Sequence, residues 1–217
     1  MDRYDMFPHI EDRLTMTSRE WLMFHWTMHR HNSLYRGRHL LKTPMDLWVL
    51  RDVIAETRPE IIIEIGAFDG GSALWMADQV DIEGFDGRII GVDITDRCTA
   101  VTHPRIQWVI GDSVASETVA RVGEIARGRR GLVIEDSDHK LDTTRRILDL
   151  YAPFVAPGNY FIVEDTIVEF INMPPFPGPL QAVKEFIERT APAFKIDRSR
   201  EKYLITHNPM GYLLRVE

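Results

Sequence analysis

The fold is decided by one short stretch, Ile61-Ile-Ile-Glu-Ile-Gly-Ala-Phe-Asp-Gly-Gly-Ser72. Its first five residues form an apolar, β-branched run that is typical of a parallel strand buried on both faces. The glycines that follow predict a loop, because they allow the backbone to bend and to approach a ligand closely. Residues 73–80 then predict a helix. The stretch therefore predicts a strand, a loop and a helix, with the loop at the carboxyl end of the strand.

The same alternation continues along the chain. Further strands are predicted at 88–93, 106–110, 131–134 and 159–163, and helices at 117–126, 143–155 and 180–190. Strands that alternate with helices indicate βαβ units and a parallel sheet. The C-terminal segment 203–216 predicts an antiparallel hairpin with its turn at Asn208-Pro-Met-Gly211.

Residues 1–45 are richer in aromatic, His and Met residues than the rest of the chain. Thr17-Ser-Arg-Glu20 has the pattern of a capping box and predicts a helix from Trp21 to about residue 29. A second helix is predicted from near Pro44 to residue 54. We therefore expect a helical N-terminal cap or lid over 1–45 and an α/β domain over 46–217.

Composition and charge exclude several classes of protein. The chain has 217 residues and a formal net charge of −7, which argues against a nucleic-acid-binding surface. Its one cysteine, Cys98, allows neither a disulfide framework nor a cysteine metal site. The N-terminus lacks the pattern of a signal peptide, and no stretch reaches the roughly 18 apolar residues that would span a bilayer. We expect a cytoplasmic protein without nucleic-acid or membrane partners.

Polar residues at the strand ends predict a site for a nucleoside cofactor. The glycine loop is not the dinucleotide fingerprint, because Phe68 stands where that motif needs its second glycine. Asp93 ends the next strand, where an acid can bond to ribose hydroxyls, and Asp112 ends the third, where it would contact adenine. Glycine pairs alone are more often simple turns, but the combination resembles the S-adenosylmethionine site of class I methyltransferases. Cofactor contacts are expected from Glu64, Gly66, Gly70, Ser72, Asp93, Asp112, Ser113 and Asp136.

A second cluster follows two neighbouring strands. Asp136-Ser-Asp-His139 comes after one strand and Glu164-Asp165 after the next. Carboxylates without cysteine favour Mg²⁺, Mn²⁺ or Ca²⁺ over Zn²⁺, and an imidazole suits proton abstraction. Acids at strand ends also cap helices or pair with lysines, and a lone histidine is usually structural. Glu135 is expected to serve the structure or the cofactor, and Asp138 to be exposed to solvent.

Together these motifs resemble the family named after cephalosporin hydroxylase, which includes sugar O-methyltransferases of macrolide and rhamnosyl pathways. The resemblance covers the chain from about Tyr35 to the C-terminus. It is carried by Tyr35-Arg-Gly37, Pro44-Met-Asp46, Glu64-Ile-Gly-Ala-Phe-Asp-Gly-Gly-Ser72, Gly91-Val-Asp93, Asp136-Ser-Asp-His139, Val163-Glu-Asp165, Ala182-Val-Lys-Glu-Phe186 and Gly211-Tyr-Leu-Leu-Arg215.

The resemblance implies a Rossmann-like class I methyltransferase sheet, mostly parallel with a C-terminal antiparallel hairpin. It implies an enzyme that uses S-adenosylmethionine and Mg²⁺ (or Mn²⁺) to methylate a hydroxyl of a sugar or glycoside, of the rhamnose or mannose type. By the same resemblance, Asp136, Glu164 and Asp165 would hold the metal and His139 would be the general base.

The resemblance also bears on the acceptor pocket and on the oligomeric state. Some relatives carry a large additional N-terminal domain that shapes this pocket, whereas only about 45 residues precede the α/β domain here. The pocket would therefore come from that segment, from the proline-rich loop at 172–179, or from a neighbouring subunit. Relatives assemble into dimers or larger oligomers, so at least a homodimer is expected.

Three other functions stay open. A catechol is another chelating diol and would suit the same fold and metal. A hydroxylase, or a partner of one, would need a redox metal that is typically held by two histidines and a carboxylate, and the cluster contains only His139. A non-catalytic protein that binds the cofactor is the third.

Overall fold

The computed structural model describes residues 14–171 and 177–217, except for the side chains of residues 28–32. The helices are α1 (Ser18–Asn32), α2 (Pro44–Thr57), α3 (Gly71–Glu83), α4 (Ser116–Ala126), α5 (Leu141–Tyr151) and α6 (Pro179–Thr190). The strands are β1 (Leu34–Tyr35), β2 (Arg38–His39), β3 (Ile61–Ile65), β4 (Arg88–Asp93), β5 (Ile106–Ile110), β6 (Leu132–Glu135), β7 (Tyr160–Val163), β8 (Phe194–Ile196) and β9 (Tyr212–Arg215).

Seven of these strands form one sheet in the order β5-β4-β3-β6-β7-β9-β8. The first five are parallel, and β9 pairs antiparallel with both β7 and β8. This confirms the predicted fold class. The chain moves outward from β3 through β4 to β5 and then returns to place β6 on the other side of β3. Ligands bind in open α/β sheets at such a switch point, outside the carboxyl ends of the strands.

The predicted C-terminal antiparallel pair is confirmed, but its first strand is not where the sequence pattern placed it. The partner of β9 is β8, whereas residues 203–207 form no strand. Leu204 has a left-handed backbone with φ of 65°, and the side chains of residues 206–208 are buried. Alternating apolar residues predicted a strand there, but the Thr206 hydroxyl and the His207 N–H donate buried hydrogen bonds to Asp46 instead.

The helix that was predicted over 143–155 is shorter than expected. It ends at Tyr151 and is followed by a separate 3₁₀ turn, Ala152–Phe154. Pro153 lies in this turn, where its missing N–H and its ring prevent continuation of the α-helix.

The hydrophobic core lies on both faces of the sheet. Ile61, Ile63 and Ile65 of β3 contact the layer that contains α4, α5 and α6, and Ile62 contacts the layer that contains α2 and α3. This alternation is the two-sided burial that the β-branched run predicted. The polar residue of the strand, Glu64, is fully buried beside them.

The N-terminal helix α1 covers the segment that follows β7. Its predicted capping box is present, since the backbone N–H of Thr17 donates to Glu20 Oε2 at 2.7 Å and that of Glu20 donates to Thr17 Oγ1 at 3.2 Å. Leu22 and Trp26 pack against residues 167–171, beyond the carboxyl end of β7. Helix α1 therefore lies beside the edge of the sheet where the polar strand ends meet. None of the helices that are described is long and apolar enough to cross a membrane.

Candidate active site

Two clefts open at the carboxyl ends of the strands and share one wall. The smaller, of about 310 Å³, lies over the ends of β3, β4 and β5. The larger, of about 550 Å³, lies between the end of β6, residues 39–42 and α1. Gly66, Phe68, Asp136 and Ser137 line both clefts. Ligands in the two clefts would therefore meet next to Asp136.

Gly66 allows the shared wall to form. The backbone N–H of Asp136 donates to the carbonyl oxygen of Ile65 at 2.8 Å, which brings the loops after β3 and β6 into contact. A Cβ at Gly66 would lie 2.0 Å from the carbonyl oxygen of Asp136, and the φ of Gly66 is +91°. Both the space and the conformation require glycine here.

The smaller cleft contains the residues that the sequence assigned to the nucleoside. Asp93 lies at its rim, where its carboxylate accepts hydrogen bonds from the N–H of Phe68 at 2.7 Å and from the N–H of Thr95 at 2.8 Å. Asp112 and Ser113 line the same cleft, as predicted from their place after β5. The backbone bonds hold the Asp93 carboxylate in a fixed position with further lone pairs available.

The remaining residues of the glycine loop lie between the clefts and the start of α3. Gly70 precedes α3 with a φ of +77°, and Ser72 in the first turn of α3 lines the larger cleft. The Glu64 carboxylate is fully buried. Burial raises the pKa of Glu64 to about 7, although the Lys42 ammonium, 3.8 Å away, and the nearby Ser72 side chain lower it. A buried acid whose pKa is strongly perturbed and that lies beside a cleft is a candidate functional residue.

Asp136, His139 and Asp165 form the acidic centre of the larger cleft. His139 Nε2 lies 3.0 Å from Asp165 Oδ2 and 3.4 Å from Asp136 Oδ1. One ligand atom from each of the three residues lies within 4.8 Å of the other two, a spacing that would suit a metal ion. Burial lowers the pKa of His139, but the two carboxylates have the larger combined effect and raise it well above its ordinary value.

Two of these residues have unusual backbone conformations. His139 has a φ of 57° and Asp165 a φ of 56°, in the left-handed region that non-glycine residues rarely adopt. The backbone N–H of Asp165 donates to Asn208 Oδ1 at 3.0 Å, which holds this conformation in place. Such residues cost on the order of 1–3 kcal/mol and cluster at functional sites.

Glu164 and Asp136, two of the predicted metal ligands, share a buried lysine. Lys42 Nζ lies 2.6 Å from Glu164 Oε2 and 2.9 Å from Asp136 Oδ2, and the side chain of Lys42 is only 3% exposed. Burial lowers the pKa of Lys42, but the surrounding carboxylates raise it well above its ordinary value. The structure thus brings Asp136, His139 and Asp165 together and places a lysine between Asp136 and Glu164. The local sequence contains no sign of this role beyond the position of Lys42 just before α2.

His207 is a second residue of the site that no sequence motif indicated. Its Nδ1 lies 3.4 Å from Asp165 Oδ1, and its ring centre lies 5.3 Å from those of both His25 and Trp26. Its Nε2 is buried and has no hydrogen-bond partner among the described residues. The N–H of His207 donates to Asp46 Oδ2 at 2.9 Å, so α2 fixes the segment.

The two neighbouring acids lie outside this cluster. Glu135 accepts hydrogen bonds from Ser137 Oγ at 2.9 Å and Thr144 Oγ1 at 3.1 Å, which is a structural role. Burial raises the pKa of Glu135 to about 7. Asp138 is exposed, as expected, and pairs with Lys140 at 2.7 Å.

The residues present fit a hard divalent cation. Carboxylate oxygens are the ligands that Mg²⁺ prefers, and the cluster supplies several of them in a half-buried place. The carboxylates of Asp136 and Asp165 lie on either side of His139 Nε2, as they would around a cation.

A mainly parallel sheet with an antiparallel end and two clefts at its switch point defines a class I methyltransferase fold. A family model described as rhamnosyl O-methyltransferase/CmcI matches residues 27–216, and the chain belongs to this family.

Individual relatives agree with this assignment. A rhamnosyl O-methyltransferase of Mycobacterium tuberculosis (strain H37Rv) is 27% identical over 198 residues, which cover 88% of this chain and 79% of that protein. A solved structure of cmcI-D160 with Mg and SAM is 25% identical with a TM-score of 0.66, over 85% of this chain and 77% of that one. MycE, a methyltransferase from the mycinamycin biosynthetic pathway solved with Mg, SAH and mycinamycin VI, is 26% identical with a TM-score of 0.50, over 67% and 40%.

Proposed function

We propose that this protein is a divalent-metal-dependent O-methyltransferase that transfers the methyl group of S-adenosylmethionine to a hydroxyl of a sugar or glycoside. The observation that supports the proposal is the wall shared by the two clefts, because Asp136 lies there between the smaller cleft and the pair formed by His139 and Asp165. Relatives that are named rhamnosyl O-methyltransferases, and solved relatives that hold Mg with SAM or SAH, support it.

The smaller cleft is the proposed cofactor site. Asp93 would accept hydrogen bonds from the ribose hydroxyls, and Asp112 and Ser113 would contact the adenine. Further proposed contacts come from Gly66 and Asp136 on the shared wall and from Ser72 in the larger cleft. Glu64 and Gly70 are also proposed to contact the cofactor, although they line neither cleft. When bound, S-adenosylmethionine supplies an electrophilic methyl group at this junction.

The acids of the larger cleft are the proposed metal ligands. Asp136 and Asp165 already lie close together, whereas Glu164 lies outside this group and its Oε2 contacts Lys42. When bound, Mg²⁺ or Mn²⁺ supplies positive charge that lowers the pKa of an acceptor hydroxyl.

His139 is the proposed general base. It would take the hydroxyl proton at Nε2, where Asp165 and Asp136 stabilise the resulting imidazolium. Asp136 and Asp165 would hold a divalent ion, and their effect on the imidazole would then be weaker, which would favour the neutral His139 that a base requires. Transfer then depends on holding the acceptor oxygen in line with the methyl group.

The larger cleft is the proposed acceptor site. Its volume of about 550 Å³ lies within the range of small-molecule sites. Trp26 offers an aromatic surface and His207 a polar atom, a combination that suits a sugar ring with hydroxyl groups. We propose that the segment 1–45 acts as a wall of this pocket through α1. The proline-rich loop at 172–179, the other candidate wall, lies mostly outside the described residues.

The acceptor and the metal are tested together. Methyl transfer from labelled S-adenosylmethionine is measured with rhamnosyl and mannosyl glycosides and with a catechol, each with Mg²⁺ and with a chelator. Transfer to the glycosides alone supports the proposal, and transfer to the catechol alone favours the small-diol alternative.

One observation favours the hydroxylase alternative: His207 is a second imidazole beside Asp165. His207 Nδ1 faces the Asp165 carboxylate, however, and its ring is not part of the group formed by Asp136, His139 and Asp165. Oxygen-dependent turnover with iron and no methyl transfer would favour a hydroxylase over the proposed function. The expected homodimer and the cytoplasmic location stay predictions, and light scattering on the purified protein would test the first of them.

A further inference from the structure

Lys42 is the buried cation of the acidic cluster. Its ammonium nitrogen lies 2.6 Å from Glu164, 2.9 Å from Asp136 and 3.8 Å from Glu64. The next residue, Thr43, caps α2 by accepting a hydrogen bond from the N–H of Asp46 at 3.0 Å, so the backbone beside the lysine is anchored. Lys42 is therefore held among three carboxylates that come from the ends of β3, β6 and β7.

The charges explain why a cation is needed there. A buried carboxylate without an opposite charge is strongly disfavoured, and so is a buried ammonium. In the described part of the chain, the ion pairs of both Glu64 and Glu164 lead to Lys42. The lysine thus balances negative charge within the cluster.

The position of Lys42 is incompatible with a divalent ion on the same oxygen atoms. Mg²⁺ binds carboxylate oxygens at about 2.0–2.1 Å, closer than an ammonium approaches them. An ion held by Asp136 and Glu164 through the oxygens that now contact Lys42 would lie next to the ammonium and be repelled by it. These two oxygen atoms can therefore hold only one of the two cations at a time.

We propose that Lys42 is an internal counter-cation that competes with the divalent ion for Asp136 and Glu164. In the metal-free protein it holds these two carboxylates, and it releases Glu164 when the metal binds. The lysine therefore weakens metal binding. It also stabilises the folded protein when no metal is bound, because its charge offsets the repulsion between the carboxylates. This inference rests on the proposed metal-dependent function and adds a positioning residue to it.

The test compares the metal affinity of Lys42→Met with that of the wild type. The full chain is freed of metal by chelation and titrated calorimetrically with MgCl₂ or MnCl₂ alone, without cofactor or acceptor. Lys42→Met should bind Mg²⁺ at least about tenfold more tightly, because one charge-assisted contact no longer competes. Its metal-free form should unfold at a lower temperature than the wild type, and saturating Mg²⁺ should narrow the difference.

Lys140→Met is the matched control. Lys140 lies close to the site and pairs with Asp138, but its side chain is 64% exposed and does not enter the cluster. Its replacement removes the same formal charge, so it should change the Mg²⁺ affinity by no more than about twofold if the effect of Lys42 is local.

A second measurement uses the wild-type protein and does not depend on Lys42→Met. In wild-type protein with ¹⁵N-labelled lysine, saturating Mg²⁺ should shift the Lys42 ammonium resonance and speed its hydrogen exchange, and leave that of Lys140 in place. A Lys42 resonance that does not move, or a folded Lys42→Met with unchanged or weaker Mg²⁺ affinity, overturns the proposal. If neither protein binds a divalent ion, the metal-dependent function fails as well, whereas equal binding by both overturns this inference alone.

Discussion

His139 Nε2 lies 3.0 Å from Asp165 Oδ2, and both residues have left-handed backbones although neither is glycine. The two strained positions face each other from the loops after β6 and β7. In these conformations the imidazole and the carboxylate are directed at one another across the acidic cluster. A residue pair that is held in this way is suited to take up a proton at one defined place.

The first prediction concerns His139→Ala. Methyl transfer should fall by about 10²–10⁴-fold, because the acceptor hydroxyl loses its base. Binding of S-adenosylhomocysteine, measured by calorimetry, should be unchanged, since His139 does not line the smaller cleft. Full activity of this variant across neutral pH would rule out the assignment.

The second prediction concerns metal removal. Excess chelator should abolish methyl transfer, and added Mg²⁺ or Mn²⁺ should restore it, because the hard oxygen ligands of the cluster match these ions. The measurement is the initial rate with a sugar acceptor before and after chelation and re-addition. Activity that survives chelation undiminished, with metal content checked by mass spectrometry, would contradict a metal-dependent mechanism.

The third prediction uses the pKa of Glu64, which burial raises to about 7 from an ordinary value of 4.5. Between these values the folded protein binds more protons than the unfolded chain, so this group makes stability fall as pH rises. Glu64→Gln removes that dependence. Its free energy of unfolding relative to wild type should improve by on the order of 2 kcal/mol between pH 5 and pH 8.

Urea unfolding of both proteins without metal or cofactor measures this difference. The control is Glu185→Gln, because an ion pair with Arg145 lowers the pKa of Glu185 to about 2, and the group is ionised throughout this range. A stability difference between Glu64→Gln and wild type that does not change with pH would show that Glu64 is ionised in the folded protein.

The fourth prediction separates steric clash from backbone strain at Gly66. Gly66→Ala places a Cβ 2.0 Å from the carbonyl oxygen of Asp136, whereas Gly158→Ala has a similar φ of +79° and meets nothing within 4 Å. Both variants should lose about 1–2 kcal/mol from the left-handed conformation. Gly66→Ala should lose a further 1–3 kcal/mol or so from the clash, and bind S-adenosylhomocysteine less tightly. If thermal unfolding shows the same loss of stability in Gly66→Ala and Gly158→Ala, the loops after β3 and β6 can move apart without cost.

The sequence predicted the parts of this molecule that depend on local pattern. β-Branched runs identified the strands, and parallel strands bring their carboxyl ends to one edge. For this reason Glu64, Asp93 and Asp136 could be expected near one another. Lys42 and His207 could not be found in this way, because each joins the site through contacts with residues far along the chain. Lys42 reaches Glu164 across 122 positions and His207 reaches Asp46 across 161.

The last prediction concerns His207 as a residue that contacts the acceptor. Its Nδ1 side is occupied by Asp165, and its buried Nε2 lacks a hydrogen bond within the described chain. His207→Phe keeps an aromatic ring beside Trp26 but removes the polar atom. Loss of one hydrogen bond of about 0.5–1.5 kcal/mol should raise the KM for the sugar acceptor roughly three- to tenfold. The Kd for S-adenosylhomocysteine should not change, because His207 lies outside the smaller cleft. Steady-state kinetics with varied acceptor measure the first effect and calorimetry the second. An unchanged KM would mean that Nε2 never meets the acceptor, and a weakened cofactor affinity would mean that His207 supports the fold of the site instead.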